Sequence, residues 1–413
     1  MRRGGTMEDR ELYARILGIT DPWRVERVDL MLETQEVHIV LGHPPDLSWR
    51  CPECGALCAL HDHQPERQWR HLDTCQFKTI LHAAPPRSNC PQHGPRVVKL
   101  PWAEPGSRFT ALFEALAIHW LLATSKKEAG RLLGLSWDGI HHVMNRAVHR
   151  GLARRKAEPI PDIGVDEKSF KKRHRYLTVV SDAETPRVLF VAPGRKKESL
   201  DGFWETLSPE QTEAIRSVSM DMWDPYVDST KEHLKDADQK IVFDKFHVAS
   251  HLGKAVDQVR RRENKELLRR DDRRLVKTKW SWLKSGDSLS DEEWRALRDA
   301  DLKTARAWAL KETAMALYLY RREETARAFF GRWHGWAIRS RLKPMVEVAG
   351  MLKRRIENIL TYVKLRVTNA MSEAINSKIQ WIKYTARGYR NESNFITAIY
   401  FHCGGLNMAP SAT

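Results

Sequence analysis

No run of about 18 uncharged apolar residues occurs anywhere in the 413-residue chain, so no segment is suited to crossing a bilayer. An apolar signal-peptide core is missing too: the basic start Met1-Arg2-Arg3-Gly4-Gly5 leads into the polar stretch Met7 to Arg15, and export is not expected. No internal repeat is visible, which argues against a solenoid. Cysteine is scarce outside one segment. Five of the six fall between Cys51 and Cys90, interleaved with histidines, and Cys403 stands alone. In a reducing compartment that clustering indicates metal binding and not disulfides. Acidic residues are too few to balance the basic ones. The net charge of +16 and pI near 9.6 give a surface field that attracts polyanions, nucleic acids foremost. What is present, 42% hydrophobic and 30% charged residues, suits a globular protein of roughly two to four domains.

Residues 1–50 read as mixed, with a strand at Val37 to Leu41 and a turn at Pro44-Pro45. Cys51-Pro52-Glu53-Cys54-Gly55 is then a C-x2-C knuckle, and Cys90-Pro91-Gln92-His93-Gly94 repeats it with histidine in the last ligand place. Two such turns supply four ligands, Cys51, Cys54, Cys90 and His93, of the kind zinc accepts in a closed tetrahedral structural site. Cys58, His61, His63, His71, Cys75 and His82 lie between the knuckles and are alternative ligands. Four protein ligands leave no open position, which speaks against a zinc-dependent hydrolase.

From Arg108 to Thr124, Phe109, Leu112, Phe113, Leu116, Trp120 and Leu121 recur at helical spacing and predict one buried face. Lys126 to Leu133, the turn Gly134-Leu135-Ser136, and Trp137 to Arg150 have the proportions of a helix-turn-helix, with Gly130 small at the crossing and Ile140, Val143, Met144 and Ala147 as the docking face. The opposite face offers His141, His142, Asn145, Arg146 and His149, side chains able to bond bases or phosphates in a major groove.

Beyond the linker-like Arg154 to Pro161 the pattern turns to α/β. Strands are expected at Ile163 to Asp166, Tyr176 to Val180, Val188 to Val191, Ser217 to Met220 and Lys240 to Phe243. Helices are expected from about Glu198, after the capping box Ser208 to Gln211, and over Pro225 to Leu234. Val248 to about Asn358 reads as charged amphipathic helix, with a capping box and staple at Leu289 to Trp294. Its basic stretch from Arg260 to Lys284, with Trp280 and Trp282, suits a DNA clamp and a solvated helix face equally. Trp294, Trp308, Trp333 and Trp336 are expected in the core. Asn369 to Lys383 is a further helix, and the tail from Gly404 to Thr413 is expected to fray.

Asp166 in the first of these strands and Asp221 at the end of the fourth are placed where neighbouring strand ends hold divalent ions, but Asp162, Glu167, Asp182, Asp224 and Asp244 compete. On the later helix Asn369, Glu373, Asn376 and Gln380 share a polar face opposite Met371, Ile375, Ile379 and Ile382. An ordered series joins these positions: Gly164-Val165-Asp166-Glu167, Ser219-Met220-Asp221-Met222-Trp223 and Phe243-Asp244-Lys245-Phe246-His247-Val248. Thr368-Asn369, Ser372-Glu373-Ala374 with Asn376, and Arg387-Gly388-Tyr389-Arg390-Asn391 complete it. With the two knuckles and the helix-turn-helix, the series resembles the DDE transposases of the ISL-three insertion-sequence family over nearly the whole chain.

The resemblance implies a ribonuclease-H-like catalytic core interrupted by an all-helical insertion and preceded by a zinc ribbon and a helix-turn-helix. The expected boundaries are 1–100, 101–155, 156–250, 251–358 and 359–413. It maps the catalytic acids onto Asp166, Asp221 and Glu373, with Asp166 bridging two Mg2+ or Mn2+ ions, and adds a structural Zn2+. His247, Lys378, Lys383 and Arg387 are candidate phosphate or backbone contacts. The implied partners are double-stranded terminal inverted repeats and target DNA, bound by a homodimer in the cytoplasm at the nucleoid, with no membrane. A DNA-binding regulator with a degenerate nuclease-like scaffold is the alternative.

Overall fold

The computed structural model describes residues 7–171, 175–243, 245–284, 286–298, 301–367 and 370–411. Thr368, Asn369, Asp244 and the side chain of Trp294 lie outside them. The chain forms two compact units, Met1–Arg155 with Leu406–Thr413, and Lys156–Gly405.

In the first unit a four-stranded sheet runs in the order Arg24–Met31, Glu36–Gly42, Lys78–Ala83, Arg67–Arg70, with its central pair parallel. Strict alternation along Glu36–Gly42 turns Val37, Ile39 and Leu41 inward, onto a core that includes Trp23, Trp49, Trp69 and Trp102. The strand expected at Val37 to Leu41 is therefore present, whereas the strands around it, Arg24–Met31 and Lys78–Ala83 among them, escaped the sequence reading. Two- to four-residue strands such as Trp49–Arg50, Leu57–Cys58 and Leu60–His63 are too short to show a period.

Helices Ala111–Ala123, Lys126–Leu133 and Trp137–Ala153 follow, and Thr110, Ser125 and Ser136 cap them through side-chain oxygens that accept from Phe113, Glu128 and Gly139 N–H groups. The buried face of the first helix differs from expectation. Phe113, Ala117, Ile118 and Leu121 face inward, while Leu112 and Trp120 are exposed. A helix apolar nearly all round carries too little contrast for spacing to select a face. Gly130 does mark the crossing, since a Cβ there would sit 3.1 Å from the Leu135 carbonyl oxygen, and Ile140, Val143, Met144 and Ala147 are buried. The tail expected to fray is instead pinned within this unit. Arg150 Nη1 donates to Met408 O at 2.6 Å, and Arg154 donates to Ala409 O at 2.5 Å and Ser411 Oγ at 2.6 Å. Arg150 in the last turn of the helix and Arg154 just beyond it find carbonyls there that composition could not reveal.

The second unit holds a five-stranded sheet in the order Val188–Pro193, Arg175–Asp182, Asp162–Lys171, Ser217–Met220, Ile241–Phe243. The first three strands are antiparallel, and the last two run parallel to Asp162–Lys171. One face packs Val179, Val188 and Val191 against Ile375, Ile379, Ile382, Phe395 and Ile399. The other packs Ile163, Val165, Val218 and Met220 with Leu200, Phe203, Trp204 and Tyr226. The capping box at Ser208 and Gln211 forms. Between Lys245 and Leu365 the described residues form helices and turns without a strand. Trp308 and Trp333 are core as expected, and Trp336 is not, being 42% exposed.

Candidate functional site

Val165 pairs in parallel with Met220, the last residue of its strand, so Asp221 just past that end lies beside Asp166, which is in the middle of the Asp162–Lys171 strand. Asp166 Oδ1 accepts the Glu167 N–H at 2.6 Å. Its Oδ2 accepts from Asn376 Nδ2 and lies 3.2 Å from Lys168 Nζ. Asp221 Oδ1 accepts the Met222 N–H at 2.6 Å and lies 3.4 Å from His247 Nδ1. One turn on, burial pulls the pKa of His251 down, partly opposed by the Asp221 charge.

Glu373 is exposed in the first turn of the Ala370–Thr385 helix. That helix lies on the sheet through Ile375, Ile379 and Ile382, and Ser372 Oγ, 3.3 Å from Ser181 Oγ, joins Asn376 in pinning the turn around Glu373. Asp166 and Asp221 are thus neighbours, with Glu373 on the helix bonded to Asp166. The three carboxylates do not close into one tight cluster. Among the described residues, the set of three or more possible ligands lying within 4.8 Å of one another is Cys51, Cys54, Cys90 and His93.

The competing acids have other work. Glu167 pairs with Arg195 at 3.2 Å, whose guanidinium lies 4.2 Å from the Tyr176 ring and 4.7 Å from the Trp223 ring. Asp162 is buried against Arg216 and Ser217, Asp182 takes Thr185 and Arg187, and Asp224 pairs with Arg355. Lys378 and Arg387 are exposed, whereas Lys383 donates to the Ser169 carbonyl at 2.7 Å. Lys168 and the Asn376 bond were missed by the sequence reading. The i, i+2 relation of Asp166 to Lys168 on a strand was the available signal; the partner of Asn376, 210 positions away, left none.

On the Trp137–Ala153 helix His142 and His149 are exposed. His141 and Asn145 are joined at 3.2 Å, and Lys126 reaches His141 at 3.1 Å from the preceding helix. Burial brings the pKa of Lys126 down to about 8. Arg146 departs from expectation: it turns inward to Glu114 at 2.9 Å and Glu104 at 3.2 Å. Glu114 is 1% exposed and requires compensating charge, which Arg146 and Arg150 supply.

In the cysteine-histidine cluster Cys51 Sγ lies 3.7 Å from His93 Nδ1, Cys54 Sγ 3.7 Å from Cys90 Sγ, and Cys90 Sγ 3.5 Å from His93 Nδ1. A tetrahedral zinc with bonds of about 2.0–2.3 Å needs ligand atoms about 3.5–3.8 Å apart, so the donor set and its dimensions fit. Gly55 and Gly94 take positive φ of 75° and 66°, letting each knuckle turn back under its sulfurs. N–H groups of His93 and Gln92 hold the Cys90 thiol down to about 7 against the raising effect of burial. Of the alternative ligands, Cys58 packs beside Cys51 and Cys90 but is not among the four mutually close donors and donates to Ala56 O, while His61 pairs with Asp62, His63 with His43, His71 with Thr110 and His82 with Glu66, and Cys75 is exposed. In the basic stretch Arg260 and Arg261 both pair with Asp257 at 2.8 Å, Trp282 is buried and Trp280 is 70% exposed.

Comparison with known proteins gives concordant likenesses. Residues 163–399 match a family described as transposase, residues 47–93 the zinc-finger of transposase IS204/IS1001/IS1096/IS1165, and residues 98–148 the helix-turn-helix domain of transposase family ISL3. The chain is 31% identical over 378 residues, 84% of each chain, to the transposase for insertion sequence element IS1557 of Mycobacterium tuberculosis. It is 28% identical over 402 residues, 95% of this chain and 98% of the relative, to the transposase for insertion sequence element IS1001 of Bordetella parapertussis.

Proposed function

Because this chain belongs to the ISL3 family of transposases, we propose that it binds the terminal inverted repeats of its own insertion sequence and cuts and joins DNA with Asp166, Asp221 and Glu373. The observation that carries this reading is the Asn376–Asp166 hydrogen bond, which ties the helix bearing Glu373 to the strand whose neighbour ends at Asp221. Three antiparallel strands extended by two parallel ones support a ribonuclease-H-like core, and the helices between Lys245 and Leu365 form its insertion.

The three acids offer only oxygen donors, a set that suits hard divalent cations such as Mg2+ or Mn2+, and together they would hold two of them. Bound there, such ions activate the attacking oxygen and neutralise the leaving one. In hydrolysis, water adds its oxygen and one hydrogen to phosphorus, the bond from phosphorus to the 3' oxygen breaks, and that oxygen takes the second hydrogen. In strand transfer the freed 3' hydroxyl attacks a target phosphodiester, and its proton goes to the displaced 3' oxygen. The protein forms no covalent bond in either step. Its part is to hold the carboxylates in register and the DNA ends in place. Cys51, Cys54, Cys90 and His93 would hold a structural Zn2+, and His142 and His149, with His141 and Asn145 behind them, would meet the DNA groove. Two ends must be brought together, which suits a homodimer on DNA acting in the cytoplasm at the nucleoid.

The test is divalent-dependent nicking of duplex DNA carrying the element's ends. Wild type cuts, and Asp221→Ala binds the same DNA without cutting. Binding without cutting in both proteins would replace the enzyme with a DNA-binding regulator.

A further inference from the structure

Asp166 and Lys168 are two residues apart on one strand, opposite Val179 and Leu177, so both side chains rise on the face covered by the Glu373 helix. Lys168 Nζ lies 3.2 Å from Asp166 Oδ2 with its side chain 17% exposed. Enclosing an ammonium costs desolvation, and a position on an exposed edge would avoid it. Two other cations nearby are committed elsewhere, Arg195 to Glu167 and Lys383 to the Ser169 carbonyl. A lysine ammonium has three N–H donors, and one directed to Asp166 leaves others for a further acceptor. A phosphate drawn to ions on Asp166 would come within reach of that ammonium.

We propose that Lys168 is a further catalytic residue, whose ammonium donates to a non-bridging oxygen of the scissile phosphate. The inference rests on the reading of Asp166 as part of the cutting site. As the attacking oxygen adds to phosphorus, negative charge builds on the non-bridging oxygens, and a fixed donor beside them lowers the barrier. Lys168 acts by hydrogen bonding alone, and the bonds made and broken are those of hydrolysis and strand transfer.

The experiment compares single-turnover nicking by full-length wild type, Lys168→Met, Lys168→Arg and Asp221→Ala, with end-binding affinity, the Mg2+ titration midpoint and the thermal midpoint measured for each. Lys168→Met is expected to cut about 10²–10³-fold more slowly, with DNA affinity, Mg2+ midpoint and thermal midpoint unchanged. Lys168→Arg, which keeps charge and fold, recovers at least about tenfold of that loss. Wild-type cutting by Lys168→Met beside an inactive Asp221→Ala overturns this proposal and leaves the transposase site standing. A Lys168→Met protein altered only toward a lower Mg2+ requirement also overturns it, because the lysine is then merely a counter-ion that the metal displaces. Cutting by Asp221→Ala at the wild-type rate removes the site itself.

Discussion

Single side chains here carry charge and protonation states that their neighbours impose. His71 is buried, its Nδ1 is 2.9 Å from Thr110 Oγ1, and burial, helped by the Arg70 charge, lowers its pKa to about 4. A neutral ring lets the Thr110 hydroxyl donate to Nδ1 while it accepts the Phe113 N–H and caps its helix. In the unfolded chain the same imidazole titrates near 6.5 and so binds a proton that the folded form refuses. Its stabilising contribution is therefore complete above about pH 6.5 and declines as pH falls toward about 4. Denaturant melts of wild type and His71→Gln across that window should diverge in slope, with the variant losing less on acidification. Parallel slopes would mean that His71 does not couple to folding. Glu114, buried in the apolar helix, is matched by contacts to Arg146, Arg150 and Ser107.

Elements are set by local signals and then trimmed by packing. The two helices after Ser125 and Ser136 begin where a side-chain oxygen can cap them, and their starts were legible in the sequence, whereas the second runs three residues past the expected Arg150. The second ends against the C-terminal tail: at Gly151 a Cβ would meet Leu406 Cβ at 2.6 Å, and Ser411 N–H donates to Glu104 Oε1 at 3.1 Å. Gly151→Ala should cost about 1–3 kcal/mol of stability in this unit, read as a lower thermal midpoint, and Leu406→Gly in the same chain should recover most of it. An unchanged midpoint in Gly151→Ala would show that the tail yields freely. In the other unit the strand Ser217–Met220 and the helix Asp224–His233 fall within a residue of expectation, because alternation of Val218 and Met220 with serines marks the one and an N-terminal proline the other. The Glu392–Cys403 helix went unread although Asn391 caps it.

For the whole molecule, two compact units joined in one chain should respond separately to the loss of a metal. A small ribbon with few buried side chains of its own depends on its ion for folding. Cys54→Ser, or treatment with a strong zinc chelator, should therefore unfold the ribbon and weaken DNA binding, while Lys156–Gly405 remains resistant to limited proteolysis. Proteolysis spreading equally through both units would show that the zinc supports more than the ribbon. The charge of +16 belongs to this scale as well, and DNA binding should weaken steeply as salt rises.

Local chemistry along the chain was enough to establish the two knuckles, the capped helix pair, the alternation of strands and helices after Pro161, and the polar face around Glu373. These depend on residues within a few positions of one another, and spacing records such relations directly. Only the tertiary structure decided which four of ten Cys and His side chains meet, that Arg146 serves Glu114, that the tail is bound, and that Asn376 bonds Asp166. Partners dozens to hundreds of residues apart are selected by packing and charge compensation in three dimensions, and a linear pattern carries no trace of that selection.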